Sequence, residues 1–204
     1  MFPNPQRVAH RAGGHARARR LVTAVLVVVA SMAMPGPSAA QSAPSVKVTE
    51  RGGVYTVAAA FEVPESASIA LATLTDYPRI PRFMPEVRVS RVLGRSEGHA
   101  IVEQEAVAQF MMFSKRVHLV LDIQEEGDAV RFSDRCGKSF GRYEGVWNVI
   151  ATRDGATQIT YALSAAPSFD VPEFLLKRLM KRDAAQMIER LKVEVSARSR
   201  QTTN

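Results

Sequence analysis

Residues 170–199, DVPEFLLKRLMKRDAAQMIERLKVEVSARS, decide the fold. Apolar side chains recur there every three or four residues (Leu176, Leu179, Met180, Ala184, Met187, Ile188, Leu191, Val195), and Arg178, Lys181, Arg182, Glu189 and Lys192 take the other side. This period predicts one long amphipathic helix from about Val171 to Ser199. Asp170, ahead of Val171-Pro172 and Glu173, reads as its N-cap, with proline in the first turn. So long an apolar stripe must be covered, and the residues before it supply the cover.

From Val87 to about Ala166 the pattern is strands of eight to twelve residues. They are parted by the turn signals Gly94 to Gly98, Glu125 to Asp128, Gly137-Lys138 and Arg153 to Gly155. Connections this short join antiparallel neighbours, because a parallel pair needs a long crossover. Alternation assigns the faces. Val102, Gln104, Ala106, Ala108 and Phe110 point one way on one strand, as do Val117, Leu119, Leu121 and Ile123 on the next. The same parity turns inward Val130, Phe132, Asp134 and Cys136, then Tyr143, Gly145, Trp147 and Val149, then Ile159, Tyr161, Leu163 and Ala165.

Ahead of the meander, Val54 to Val63 reads as a first long strand, and Val46 to Thr49 as its start, separated from it by Arg51-Gly52-Gly53. Ile69, Leu71, Ala72 and Leu74 suit a short helix that Asp76-Tyr77-Pro78 ends, and Pro81 and Pro85 limit the next piece to a helical turn. The fold class is therefore α+β: a curved antiparallel sheet of about six to seven strands around a long C-terminal helix, with two short helices after the first strand.

The N-terminus has a different character. Arg7, Arg11, Arg17, Arg19 and Arg20 precede an uncharged run from Leu21 to Met34, then Pro35-Gly36-Pro37 and Ser38-Ala39-Ala40. A basic segment, an apolar segment and small residues in that order predict a cleavable export signal over 1–40, cut after Ala40, with a periplasmic or secreted product. The apolar run is 14 residues, short of the roughly 20 a spanning helix needs. The expected organisation is then signal 1–40, leader and start of the first strand 41–53, one domain 54–197, and a flexible tail 198–204.

The whole chain carries 27 basic and 20 acidic residues, for a net charge of +7. Without the five signal arginines 22 basic residues face 20 acidic ones, and no basic stripe interleaves with aromatics, so a nucleic-acid partner is excluded from the reading. Cys136 is the only cysteine, so no intrachain disulfide forms and one core must hold the domain.

Several runs resemble one family. Tyr77 to Val87 followed by Val89-Ser90-Arg91-Val92-Leu93 resembles the segment after the first strand in START-like (SRPBCC) polyketide cyclase/dehydrase and lipid-transport proteins. Phe140-x-x-x-x-Gly145-x-Trp147 and Asp154 to Tyr161 resemble their last two strands, and Phe169 to Leu191 their closing helix. The likeness spans roughly Val54 to Val195, and the branch it is most similar to includes the coenzyme Q-binding proteins. It implies a helix-grip fold whose cavity holds a lipid or quinone-like molecule. Because one scaffold of this kind carries many activities, the resemblance implies no single reaction.

A cavity between sheet and helix binds apolar ligands through apolar and aromatic walls with a few orienting polar groups. The candidates for that lining are Phe83, Met84, Phe110, Met112, Phe132, Trp147, Tyr161, Phe174, Met180 and Met187, with Gln104, Asp134 and Tyr143 as inward polar groups. Ordinary core packing is the competing reading of each. Asp134 is the candidate acid, against a structural pairing with Arg131, Arg135 or Arg142 or a strand end in water.

His99 and His118 have no metal-ligand spacing, no serine lies in a nucleophile elbow, and no glycine loop cradles phosphate, so neither metal nor cofactor is expected. An exported carrier of a hydrophobic small molecule or lipid is the leading expectation. Lys177, Arg178, Lys181 and Arg182 would then make transient contact with a membrane surface. A cyclase/dehydrase-type enzyme using Asp134 and Tyr161 is the second reading, and an envelope protein-interaction module the third.

Overall fold

Arg51-Gly52-Gly53-Val54 closes the first hairpin: both glycines have positive φ, 60° and 77°, which a two-residue loop matched to the strand twist requires. The computed structural model describes residues 44–110 and 113–202. The export signal expected over 1–40 and Met112 lie outside the described residues, and so does the side chain of Phe110. Ser45–Arg51 (β1) pairs antiparallel with Val54–Val63 (β2), so the piece read as the start of the first strand is a strand of its own.

Short helices follow β2: Ala67–Leu74 (α1), a 3-10 turn Tyr77–Arg79, and Ile80–Phe83 (α2). The meander is Val87–Ser96 (β3), His99–Phe110 (β4), Phe113–Glu126 (β5), Ala129–Asp134 (β6), Phe140–Ala151 (β7) and Thr157–Pro167 (β8). Every pairing is antiparallel, in the order β1-β2-β8-β7-β6-β5-β4-β3, so the sheet is open with β1 and β3 at its edges. Eight strands stand where six to seven were expected, and β1 is the addition.

The closing helix is Glu173–Thr202 (α3). Its first helical carbonyl is that of Pro172, which accepts from Leu175 and Leu176, so Asp170 lies upstream of the cap position expected for it. The helix also runs through 198–202, expected as a flexible tail, where the Arg198 guanidinium pairs with Asp76 at 3.1 Å and Glu194 at 2.8 Å. Lys192, placed on the wet side by charge alone, is buried. Its stem packs into the protein and its ammonium lies 6.0 Å from the centre of the Phe61 ring.

Two large apolar clusters result. One joins Val57, Phe61, Val149, Ile159 and Leu163 to Ala184, Ile188, Leu191 and Val195 of α3. The other joins Tyr77 to Val102, Leu119, Leu121, Ile123 and Val130 of β4, β5 and β6. Phe132, Phe140, Tyr143 and Trp147 pack against both.

Candidate ligand cavity

The aromatic row between the two clusters does not fill the space it faces. A cavity of about 340 Å³ opens there, within the 300–1,000 Å³ usual for small-molecule sites. The sheet contributes Val57, Gln104, Leu121, Ile123, Val130, Phe132, Tyr143, Trp147, Tyr161 and Leu163; the short helices and the turn after them contribute Tyr77, Ile80, Phe83, Met84 and Glu86; α3 contributes Met180, Asp183, Ala184, Met187, Arg190 and Leu191.

One glycine shapes the wall. Phe132 of β6 stands opposite Gly145 of β7, and a Cβ on Gly145 would lie 2.5 Å from the Phe132 ring and 2.4 Å from the Ala162 carbonyl oxygen. The missing side chain lets the Phe132 ring lie across the strand. That ring then sits 5.9 Å from Tyr143 and 6.5 Å from Tyr161, while Trp147 lies 4.2 Å from Tyr161. The glycine and tryptophan of Phe140-x-x-x-x-Gly145-x-Trp147 therefore serve one surface.

The polar lining falls into two groups. At the partly exposed rim, Glu86 and Arg190 form an ion pair that ties the turn after α2 to the middle of α3. The Arg190 hydrogen bond holds the Glu86 carboxyl below its usual range, and Glu86 raises Arg190 in turn. Asp183 beside them is pushed up, chiefly by burial, although Arg182 pulls it down at 2.9 Å. Deeper in, the Gln104 amide donates to Ser90 at 3.3 Å. The hydroxyls of Tyr143 and Tyr161 have no hydrogen-bond partner among the described residues. Burial pushes Tyr143 up to about 12, helped by the Asp134 charge, and Tyr161 also well above the ordinary phenol value. Both stay protonated and act as donors.

Of the residues singled out in the sequence, Phe83, Met84, Gln104, Phe132, Tyr143, Trp147, Tyr161, Met180 and Met187 line this space. Asp134 does not. Its Oδ1 accepts from the Val120 and Cys136 amides at 2.9 and 3.2 Å and its Oδ2 from Gly137 at 3.0 Å, so the carboxylate caps the chain reversal after β6. Strand parity pointed it inward, but β6 ends at Asp134 and the chain turns away. Phe174 does not line the cavity either: it is 76% exposed in the first turn of α3. The N-terminal end of α3 is instead sealed by Tyr55, Leu176 and Leu179 with Ala108 and Phe169.

Glu86, Asp183 and Arg190 went unread as site residues. The signal was present, because 180, 183, 187 and 190 follow one helical stripe and two charges interrupt it. On the outer face, the β4–β5 register sets Glu105 opposite His118 and brings Glu103 within 4.8 Å of both, a grouping that linear spacing hides. Arg91 holds one oxygen of Glu103 at 2.5 Å, and His118 lies 3.9 Å from the other.

A family model described as polyketide cyclase/dehydrase and lipid transport matches residues 63–192. No curated protein matches the chain in sequence. Among solved structures, the STAR-related lipid transfer protein of Xanthomonas axonopodis superposes with a TM-score of 0.63 at 18% identity, over 76% of this chain and 94% of that one. A START superfamily protein of Mycobacterium smegmatis gives 0.60 at 16%, over 70% and 97%. The Zhui aromatase/cyclase of Streptomyces sp. R1128 gives 0.60 at 12%, over 72% and 96%. Identities this low establish a shared START-like, helix-grip fold.

Proposed function

The chain belongs to the polyketide cyclase/dehydrase and lipid-transport family, and from that premise we propose that it binds and carries a hydrophobic small molecule, a lipid or quinone-like compound, in the cavity between sheet and α3. The observation that carries this reading is the wall itself: a space of about 340 Å³ faced by Phe83, Phe132, Trp147, Leu163, Met180 and Met187, with only a few polar groups to orient a ligand. The two methionines supply flexible, polarisable surface that fits varied apolar shapes.

Export is part of the proposal and rests on the order of basic, apolar and small residues in the first forty positions. The ligand is then an envelope or extracellular molecule. Transient contact with an anionic membrane is supported by the exposed Phe174 beside Arg178 and Lys181. A cyclase-type reaction through Asp134 and Tyr161 finds less support, since Asp134 is bound to three amides and burial keeps Tyr161 from serving as a base.

Mass spectrometry of organic extracts from protein purified out of its native cell tests the carrier reading. One apolar compound recovered in stoichiometric amount is the expected result. Protein that is repeatedly empty and takes up no lipid probe overturns it.

A further inference from the structure

Tyr161 is 6% exposed and Tyr143, packed against the same Phe132 ring, is half-buried; both line the cavity, and neither hydroxyl has a hydrogen-bond partner among the described residues. Neither hydroxyl is sealed away from the cavity, so both donors are open to an acceptor that arrives with the ligand. The charge around these hydroxyls narrows its chemistry. Among the described residues Arg190 is the only cation in the cavity lining, and it is committed to Glu86 at the rim. A carboxylate placed against these tyrosines would lose its hydration and meet only neutral donors.

We propose that the deep end of the cavity is a recognition site for an uncharged oxygen acceptor, a ketone- or ester-type carbonyl at the leading end of an otherwise apolar ligand, which the Tyr143 and Tyr161 hydroxyls hold by donating to it. This rests on the carrier reading and adds the ligand's polarity and direction: neutral oxygen inward, hydrocarbon along Phe132, Trp147 and Leu163. Both phenols keep their protons well beyond neutral pH, so the donors persist wherever the protein is folded.

Two probes of matched shape, 2-acetylnaphthalene and 2-ethylnaphthalene, are titrated calorimetrically against the wild-type protein and against Tyr143→Phe, Tyr161→Phe and the double variant. The ketone should lose about tenfold in affinity in the double variant, the value of one to two neutral hydrogen bonds, while the hydrocarbon changes by less than about threefold. Equal shifts for both probes, or a ketone affinity that survives the double substitution, overturn the proposal. Binding of neither probe to the wild type contradicts the carrier reading beneath it. The melting temperature of the ligand-free variants supplies a second readout: it should hold or rise, and a double variant that fails to fold would show that the hydroxyls serve the protein itself.

Discussion

Where the short helices meet the sheet the buried hydroxyls end on partners, while the two cavity tyrosines of β7 and β8 do not. Thr73 donates to the Ile69 carbonyl at 2.8 Å, Thr157 to the Glu65 carbonyl at 2.7 Å, and Tyr77 to the Glu125 carboxylate at 2.8 Å. Tyr161 is nearly as buried, Tyr143 is half-buried, and neither donates to another of the described residues. Thr157 and Tyr77 fix how the entry to α1 and the 3-10 turn dock against the sheet, and Thr73 bonds within α1. The cavity tyrosines give the empty protein no such return, so the difference separates side chains retained for folding from side chains retained for a ligand.

The strongest challenge to this division is Asp134, assigned to folding. Asp134→Ala strips an acceptor from three backbone amides and should lower stability by about 3 kcal/mol in urea unfolding, with cavity binding unchanged. A loss of binding without a loss of stability would move Asp134 back to the site. Next comes Gly145→Ala. Its Cβ must displace either the Phe132 ring or the β8 backbone, at a cost of about 2 kcal/mol, and it should weaken ligand binding as well because Phe132 is cavity wall.

The tyrosines give the sharpest contrast. Tyr77→Phe should cost about 1 kcal/mol, because its hydrogen bond to Glu125 is lost although Arg95 still pairs with that carboxylate at 3.0 Å. Tyr161→Phe should cost nothing measurable or stabilise. Equal losses at the two positions would erase the distinction.

The smallest effect belongs to the rim. Glu86 titrates lower in the folded protein than its ordinary 4.5, so its contribution is complete above that value and is lost as pH falls through the lower folded one. Both partners are partly exposed, which limits the pair to less than about 1 kcal/mol. Urea midpoints followed from about pH 6 to pH 3 should fall less steeply for Glu86→Gln than for the wild type. Identical slopes would mean that the pair does not close the rim.

Much of this wall was legible because a strand has period two. Gln104, Phe132, Tyr143, Trp147 and Tyr161 sit mid-strand, where parity survives, and Met180 and Met187 obey the helical period. Reading failed where an element ends or where charge was taken as proof of water. Parity says nothing once β6 stops at Asp134, and Phe174 lies exposed in the first turn of α3. Asp183 and Arg190 were hidden by their charge. That the two hydroxyls lack partners was beyond any sequence reading, because a missing hydrogen bond is a property of packing.

Trp147 is the only tryptophan in the chain and lies in the cavity wall, so its emission reports on occupancy directly. The measurement is energy transfer from Trp147 to N-phenyl-1-naphthylamine, a neutral apolar dye, as dye is added. Saturable transfer at one dye per protein, reversed by the compound recovered from native protein, is the expected result. Dye that never saturates, or that binds without quenching Trp147, would place the hydrophobic site elsewhere and contradict the account.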